Sequence, residues 1–160
     1  MPSGPVDDST APTRSGPPTR FHEFADIGEA AAAIPLLRFL GVRSVSPAEP
    51  DVVVSLEMDR TEEVLNLAGN PHGGAIVALI DHAGGLATAV ALGAGGPTAD
   101  LHVRFLRAPD GSPIRADARI LRRGRRLAII EVRVCGQSGK LAAIGTMSIT
   151  PMGEGPAVEG

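Results

Sequence analysis

The chain has 160 residues, a length that suits one domain with a substantial core. Hydrophobic residues make up 43% of it but aromatic residues only 2%, so the core must be aliphatic and little is available to stack nucleic-acid bases. The net charge of −3 likewise argues against nucleic acid as the main partner.

Cysteine content and the N-terminal sequence indicate the compartment. Cys135 is the only cysteine, so no disulfide can form within the chain. The first residues lack the apolar stretch of a signal peptide. We therefore predict a protein of the reducing cytoplasm, with Cys135 as a buried bystander.

The N-terminal segment is predicted to be a disordered leader over residues 1–22. Met1 to Arg20 holds five prolines and no bulky hydrophobic residue beyond Met1 and Val6, too few to order it by burial. The folded domain is predicted to span residues 23–151, and residues 152–160 to form a loose tail.

The first predicted elements are a short helix and two strands. Helix formers run from Ile27 to Leu40, and Gly41 follows as a stop signal. Pro35 is tolerated best in a first helical turn, so two short helices that meet there are an alternative to one. Strands are predicted from Val42 to Ser46 and, by alternation of apolar and polar residues, from Val52 to Asp59.

The stretch from Asn66 to Leu92 is the centre of the chain. Turn-forming residues and His72 lead into about twenty small and aliphatic residues, which predicts a loop followed by a buried helix over Gly74 to Leu92. Asp81, His82 and the lack of a positive flank argue against a membrane span. The many Ala and Gly residues suggest that other backbone approaches closely, as when a sheet wraps a helix.

Four strands are predicted after this helix. They lie around Leu101 to Phe105, Ile114 to Ile120, Leu127 to Cys135 and Leu141 to Ile149. Turn residues between them, beginning with Asp110 to Ser112, predict a meander of consecutive hairpins. The order of helices and strands predicts the α+β class.

Two blocks of the sequence resemble the hot-dog-fold acyl-CoA thioesterases, most closely the phenylacetate-degradation type. In that fold an antiparallel sheet wraps a long central helix. One block is the strand sequence from Thr98 to Pro109. The other has six positions that match in type and spacing: Asn66, Gly69, His72, Gly73, Gly74 and Asp81.

The resemblance implies a role for each matching residue. It makes Asp81 the catalytic carboxylate and the Gly73 N–H the contact to the thioester carbonyl, with supporting roles for Asn66 and His72. Thr98 falls where some relatives position the nucleophilic water. Further residues are expected to bind the substrate: Gly74, His82, Arg123 and Arg125.

The resemblance also implies the partners. The substrate is an acyl-CoA, so coenzyme A enters as part of the substrate and no separate cofactor is expected. No metal, nucleic acid or membrane is expected either. A homodimer is implied, and its further assembly to a tetramer is expected.

The distance between Gly73 and Asp81 sets a geometric constraint. Eight helical residues rise by roughly 12 Å, so one carbonyl cannot touch both groups of one chain. In the thioesterases that the chain resembles, two helices lie antiparallel across a dimer interface. Each site then pairs the helix start of one chain with the acid of the other.

Each assignment has an alternative. Asp81 could be a buried structural acid, His72 a helix cap and Asn66 a turn residue. The arginines could form a solvated edge that discourages strand pairing. For the whole protein, the alternatives are a hot-dog dehydratase or hydratase of acyl thioesters and a non-catalytic acyl-binding module.

Overall fold

Six antiparallel strands and one long helix form the domain. A computed structural model describes residues 26–124 and 126–152. The elements in chain order are α1 (Ile27–Ala33), α2 (Pro35–Phe39), β1 (Val42–Val45), β2 (Val54–Met58), a 3-10 turn (Glu62–Val64), α3 (Gly73–Leu92), β3 (Thr98–Phe105), β4 (Ile114–Arg122), β5 (Ala128–Cys135) and β6 (Leu141–Ile149). The predicted α+β architecture is confirmed.

The two short helices meet at Pro35, as the alternative prediction had it. Asp26 accepts a hydrogen bond from the Glu29 N–H at 2.8 Å and caps α1. Ile34 ends α1 in an extended conformation, and Pro35 occupies the first position of α2, where its missing N–H costs nothing. The predicted leader and almost all of the predicted tail lie outside the described residues.

The strand order is β1-β2-β4-β5-β6-β3. The predicted meander is therefore wrong at its first connection, since β3 pairs with β6 at the sheet edge and β4 pairs with β2. Alternation of apolar residues shows which face of a strand is buried, but it does not show which strand lies alongside.

Asp110 to Ser112, predicted as a hairpin turn, instead belong to a segment, residues 106–113, that crosses the end of the sheet. The Leu106 N–H donates to the Ala142 carbonyl of β6, and Asp110 accepts at its carbonyl from the Gln137 N–H, both at 2.8 Å. Beyond these contacts, Ser112 Oγ accepts from the Arg60 N–H at 3.1 Å, just after β2. The segment thus carries the chain from one edge of the sheet to its middle.

The core lies between α3 and the inner face of the sheet. Ile114, Ile130, Val132 and Leu79 have no exposed surface. Fully burying such a side chain stabilises the fold by about 1.5–3 kcal/mol.

Glycine allows the helix and β6 to approach closely, as the small residues predicted. A Cβ at Gly84 would overlap Met147, and one at Gly145 would overlap Ile80. By length and composition α3 could cross a membrane, but 61% of its apolar window is buried within the domain. The burial identifies it as a core helix.

Candidate active site

A closed loop leads into α3. At its neck the His72 N–H donates to the Val64 carbonyl at 2.7 Å, and Leu65 forms a bridge with Pro71. Inside it the Asn66 N–H donates to the Asn70 carbonyl at 2.8 Å. Gly69 has a φ of +71°, which glycine adopts without strain, so the tip can turn sharply.

The Asn66 side chain is held in one orientation by this loop. Its Oδ1 accepts hydrogen bonds from the N–H groups of Ala68 at 2.9 Å and Asn70 at 3.1 Å. Within residues 26–124 and 126–152 its Nδ2 group has no partner. Asn66 is therefore the predicted turn residue and also presents two free donors.

His72 is the N-cap of α3. Its Nδ1 accepts a hydrogen bond from the Gly74 N–H at 2.9 Å, so this nitrogen carries no proton. The neutral ring then has its proton on Nε2, as a donor at the exposed helix start. The capping role that the sequence left open is observed, and Gly74 contributes its N–H to the cap rather than to a ligand.

The first turn of α3 leaves one N–H unpaired. The N–H groups of Ala75 and Ile76 donate to the His72 carbonyl at 3.0 and 3.2 Å, and the Gly74 N–H donates to the His72 imidazole. In the part of the chain that the structure describes, the Gly73 N–H has no acceptor. Helix N-termini with unpaired N–H groups bind negatively charged or polarised oxygen atoms.

Phe105 lies beside this donor. A Cβ at Gly73 would be 3.4 Å from Phe105 Cζ, yet the side chain is 51% exposed. Leu101, Val103 and Phe105 are the apolar residues that alternate with polar ones in β3. They are only partly covered, because β3 is an edge strand.

Asp81 and Thr98 are in direct contact. Thr98 Oγ1 donates to Asp81 Oδ1 at 2.8 Å, which joins the middle of α3 to the start of β3. The carboxylate is half-buried, and its Oδ2 has no partner among the residues that the structure describes. One oxygen of Asp81 is therefore fixed and the other is available for chemistry.

His82 is oriented by its own helix. Its Nδ1 lies 2.9 Å from the Ala78 carbonyl, and because a carbonyl only accepts, Nδ1 carries the proton. In the neutral ring Nε2 is then an acceptor, with no partner in the described segments.

The predicted site residues fall into separate groups within one chain. Asn66, His72 and Gly73 gather at the start of α3, whereas Asp81 and Thr98 lie roughly 12 Å along it. Arg123 donates to the Ala91 carbonyl at 3.3 Å, roughly 27 Å from Gly73. Arg125 lies outside the described residues.

An open cleft of about 660 Å³ lies against the helix start. Its lining is Glu62, Leu65, Asn66, Leu67, Ala68 and His72. No cluster of three metal-binding side chains occurs in the described ranges.

Sequence reasoning missed Arg60, whose Nη2 donates to the Gly69 carbonyl at 2.6 Å. It lies between elements, where no periodic signal could have revealed it.

Comparisons with known proteins agree with this architecture. A family model described as the thioesterase superfamily matches residues 68–143. A candidate esterase of Halobacterium salinarum is 39% identical in an alignment that covers 68% of this chain and 80% of that protein.

Two solved structures extend the comparison. Thioesterase superfamily member 2 of zebra fish is 30% identical, with a TM-score of 0.69 over 79% of this chain and 94% of its own. A Bacillus halodurans protein solved with CoA is 26% identical, with a TM-score of 0.59 over 61% of this chain and 66% of its own. The predicted hot-dog fold is confirmed.

Proposed function

The chain belongs to the thioesterase superfamily, and we propose that it hydrolyses acyl-CoA thioesters to a free acid and coenzyme A, as an enzyme of the phenylacetate-degradation type. The related candidate esterase supports hydrolysis. The CoA in the Bacillus halodurans structure supports coenzyme A as the carrier of the acyl group.

The unpaired Gly73 N–H is the observation that carries the proposal. Thioester hydrolysis places negative charge on the carbonyl oxygen, and a fixed donor aimed at that oxygen stabilises the transition state. Gly73 lacks a Cβ, so the substrate can approach this N–H closely. The free Nδ2 group of Asn66 and the Nε2–H of His72 are further donors at the same helix end.

Asp81 supplies the basic or nucleophilic group. As a base, its free Oδ2 takes a proton from water while the water oxygen attacks the carbonyl carbon. The C–S bond then breaks, and the proton passes to the departing thiolate. As a nucleophile, Oδ2 attacks the carbon, thiolate leaves, and water hydrolyses the mixed anhydride. In both routes Thr98 orients the Asp81 carboxylate by its hydrogen bond to Oδ1.

Two chains complete each site in this proposal. The distance of roughly 12 Å along α3 separates Gly73 from Asp81 of the same chain. A partly exposed stripe runs along α3 through Gly74, Ala78, Asp81 and Gly85. Its small residues leave space for a second helix, and β3 offers an unpaired edge for a second sheet.

The register of the two helices follows from this pairing. If Gly73 lies opposite the partner subunit's Asp81 in an antiparallel arrangement, Val77, midway between them in sequence, lies at the twofold axis. The partner subunit's Arg123, near its Ala91, then lies roughly 15 Å beyond the site. That position suits the phosphates at the far end of the extended pantetheine arm. Assembly to a tetramer and a cytoplasmic location stay predictions.

Mixed dimers test the shared site. Gly73→Pro removes the donor and suits the backbone, because proline is favoured at the first helical position and His72 is extended, with φ −66° and ψ 135°. Asp81→Asn removes the base. A heterodimer of the two variants, isolated with two tags, should recover about half of wild-type activity, since one of its two sites is intact.

Gly73→Ala is the companion variant, because it adds a Cβ but keeps the N–H and so separates the effect of added bulk from the loss of the donor. Heterodimers as inactive as the parent variants, although both variants fold and dimerise, would refute the shared site. Hydrolysis of no acyl-CoA by the wild-type protein would refute the activity itself.

A cysteine pair checks the register independently. With Cys135 replaced by Ser, Val77→Cys should form an intermolecular disulfide at the twofold axis. Val90→Cys is the control on the same helix, since its two sulfurs would be roughly 39 Å apart in this register. Equal cross-linking of both variants would contradict the arrangement.

A further inference from the structure

Arg60 is a half-buried arginine without a carboxylate partner in the described residues. Its one side-chain hydrogen bond there runs from Nη2 to the Gly69 carbonyl, at 2.6 Å. By contrast, Arg43, Arg115 and Arg119 each pair with carboxylates. Partial burial of an unpaired cation is unfavourable, which indicates a role beyond folding.

The loop that Arg60 contacts is poorly held from outside. The bonds at its neck and the Asn66 contacts close it upon itself. At its tip Leu67 is fully exposed, so no apolar packing restrains this part. In the described ranges, Arg60 is the only residue outside the loop whose side chain bonds to the tip.

Arg60 is itself well anchored. It follows β2, whose last residue, Met58, is fully buried, and its N–H donates to Ser112 Oγ at 3.1 Å. Ser112 belongs to the segment that starts beside Phe105 and Gly73. Arg60 therefore joins the site loop to the segment that begins after Phe105, beside the helix start.

We propose that Arg60 is a positioning residue for the hydrolysis. Its guanidinium holds the Gly69 carbonyl and keeps the loop closed. The amide of Asn66 therefore points its Nδ2 donors toward the same carbonyl oxygen as the Gly73 N–H. The inference rests on the proposed thioesterase activity, because it assigns Arg60 a part in aligning those donors. It acts through Asn66 and does not touch the substrate.

Arg60→Met tests this by keeping an unbranched apolar stem and removing every donor. We expect kcat to fall about tenfold, as for one lost charge-assisted hydrogen bond, while KM stays within about twofold. The Ala68 and Asn70 amides should exchange with solvent faster. Arg60→Lys, which retains a cationic donor, should recover most of kcat.

Arg38→Met is the matched control. Arg38 also donates to backbone carbonyls, those of Ala32 and Ala33 at 3.0 and 3.2 Å, but at the end of α1. It should leave kcat and loop exchange unchanged.

Unchanged kcat and unchanged loop exchange in Arg60→Met would overturn the proposal. So would equal losses in Arg60→Met and Arg60→Lys that follow a lower melting temperature, since Arg60 would then serve only stability. If the wild-type protein hydrolyses no acyl-CoA, the proposed function fails by that assay. Loop exchange still decides whether Arg60 holds the tip, and unchanged exchange overturns that role.

Discussion

Most polar groups on the outer face of β1, β2 and β4 are paired with one another, whereas several at the helix start and on α3 lack partners within the described residues. On the sheet, Ser55 is 1% exposed and donates to Asp117, which also accepts from Arg115 at 2.9 Å. Arg43 likewise bonds to Glu57 and to Asp59 at 2.9 Å. These groups satisfy one another, so the surface has a structural role.

On α3 and the loop before it, several polar groups lack partners within the described residues. They include the Gly73 N–H, Asn66 Nδ2, Asp81 Oδ2 and His82 Nε2. The fold fixes three of these side chains through their other polar atom. The contrast teaches that a side chain held at one atom and free at the other is suited to a ligand. Changes there should affect activity, while changes on the sheet should affect stability.

Asp81→Asn should have the largest effect. The amide keeps the size of the carboxylate and can still accept from Thr98, but it is neither base nor nucleophile. We expect kcat/KM for acyl-CoA to fall about a thousandfold, within the range for loss of a general base. Thiol release measures the rate, and the melting temperature and dimer content should be unchanged. A loss of only two- or threefold would make Asp81 a structural acid.

Asn66→Asp should have the next largest effect. An aspartate at this position can still accept from the Ala68 and Asn70 N–H groups, so the loop should stay closed. It loses the Nδ2 donors and places negative charge near the developing oxyanion. We expect kcat to fall about a hundredfold, as for removal of one oxyanion donor.

Asn66→Ala is the companion variant, since it loses both the loop contacts and the donors. Full activity in Asn66→Asp, with loss of stability in Asn66→Ala, would show that Asn66 serves only as a turn residue.

The elements of the fold were predictable because burial leaves a period in the sequence. The apolar run of α3 and the alternation of β4 and β5 both follow from it. The edge position of β3 was not predictable, because its alternation resembles that of a central strand. Among the described residues β3 pairs only with β6, and this pairing places it at the sheet edge.

The site was predictable where its residues are close in sequence. The spacing of Asn66, His72 and Gly73 indicated a helix start with donors. The His72 imidazole accepts from the Gly74 N–H and leaves the Gly73 N–H free. This choice depends on the side-chain rotamer of His72, which the sequence does not show. The resemblance suggested a water-positioning role for Thr98, but its contact with Asp81 depends on how β3 packs.

Thr98→Val should have an effect of intermediate size on activity. Valine has nearly the same shape but cannot donate to Asp81 Oδ1, so the carboxylate loses its fixed orientation. We expect kcat to fall about tenfold, the equivalent of one hydrogen bond to a charged group. Thr98→Ser keeps the hydroxyl and should retain most of the rate. Equal losses in both variants would implicate the methyl group instead.

The smallest effect is expected at Asp51, within the paired network. A hydrogen bond from Arg119, at 2.7 Å, lowers the pKa of the Asp51 carboxyl. A folded pKa below the unfolded value, roughly 3.9, contributes stability that is fully present above the unfolded pKa. That contribution disappears as the pH falls through the folded pKa.

Asp51→Asn should therefore lower the melting temperature slightly at pH 7, because Asp51 itself is exposed. It should leave kcat unchanged, because Arg119 lies on the face of β4 opposite the one that packs on α3. Melting curves of both proteins between pH 7 and 2 measure the effect. The difference between them should stay constant down to about pH 5 and shrink below it, as the wild-type carboxyl becomes protonated. A difference that persists at pH 2 would show that Asp51 stabilises the fold by packing rather than by its charge. A fall in kcat at pH 7 would instead break the division between a structural sheet face and a functional helix start.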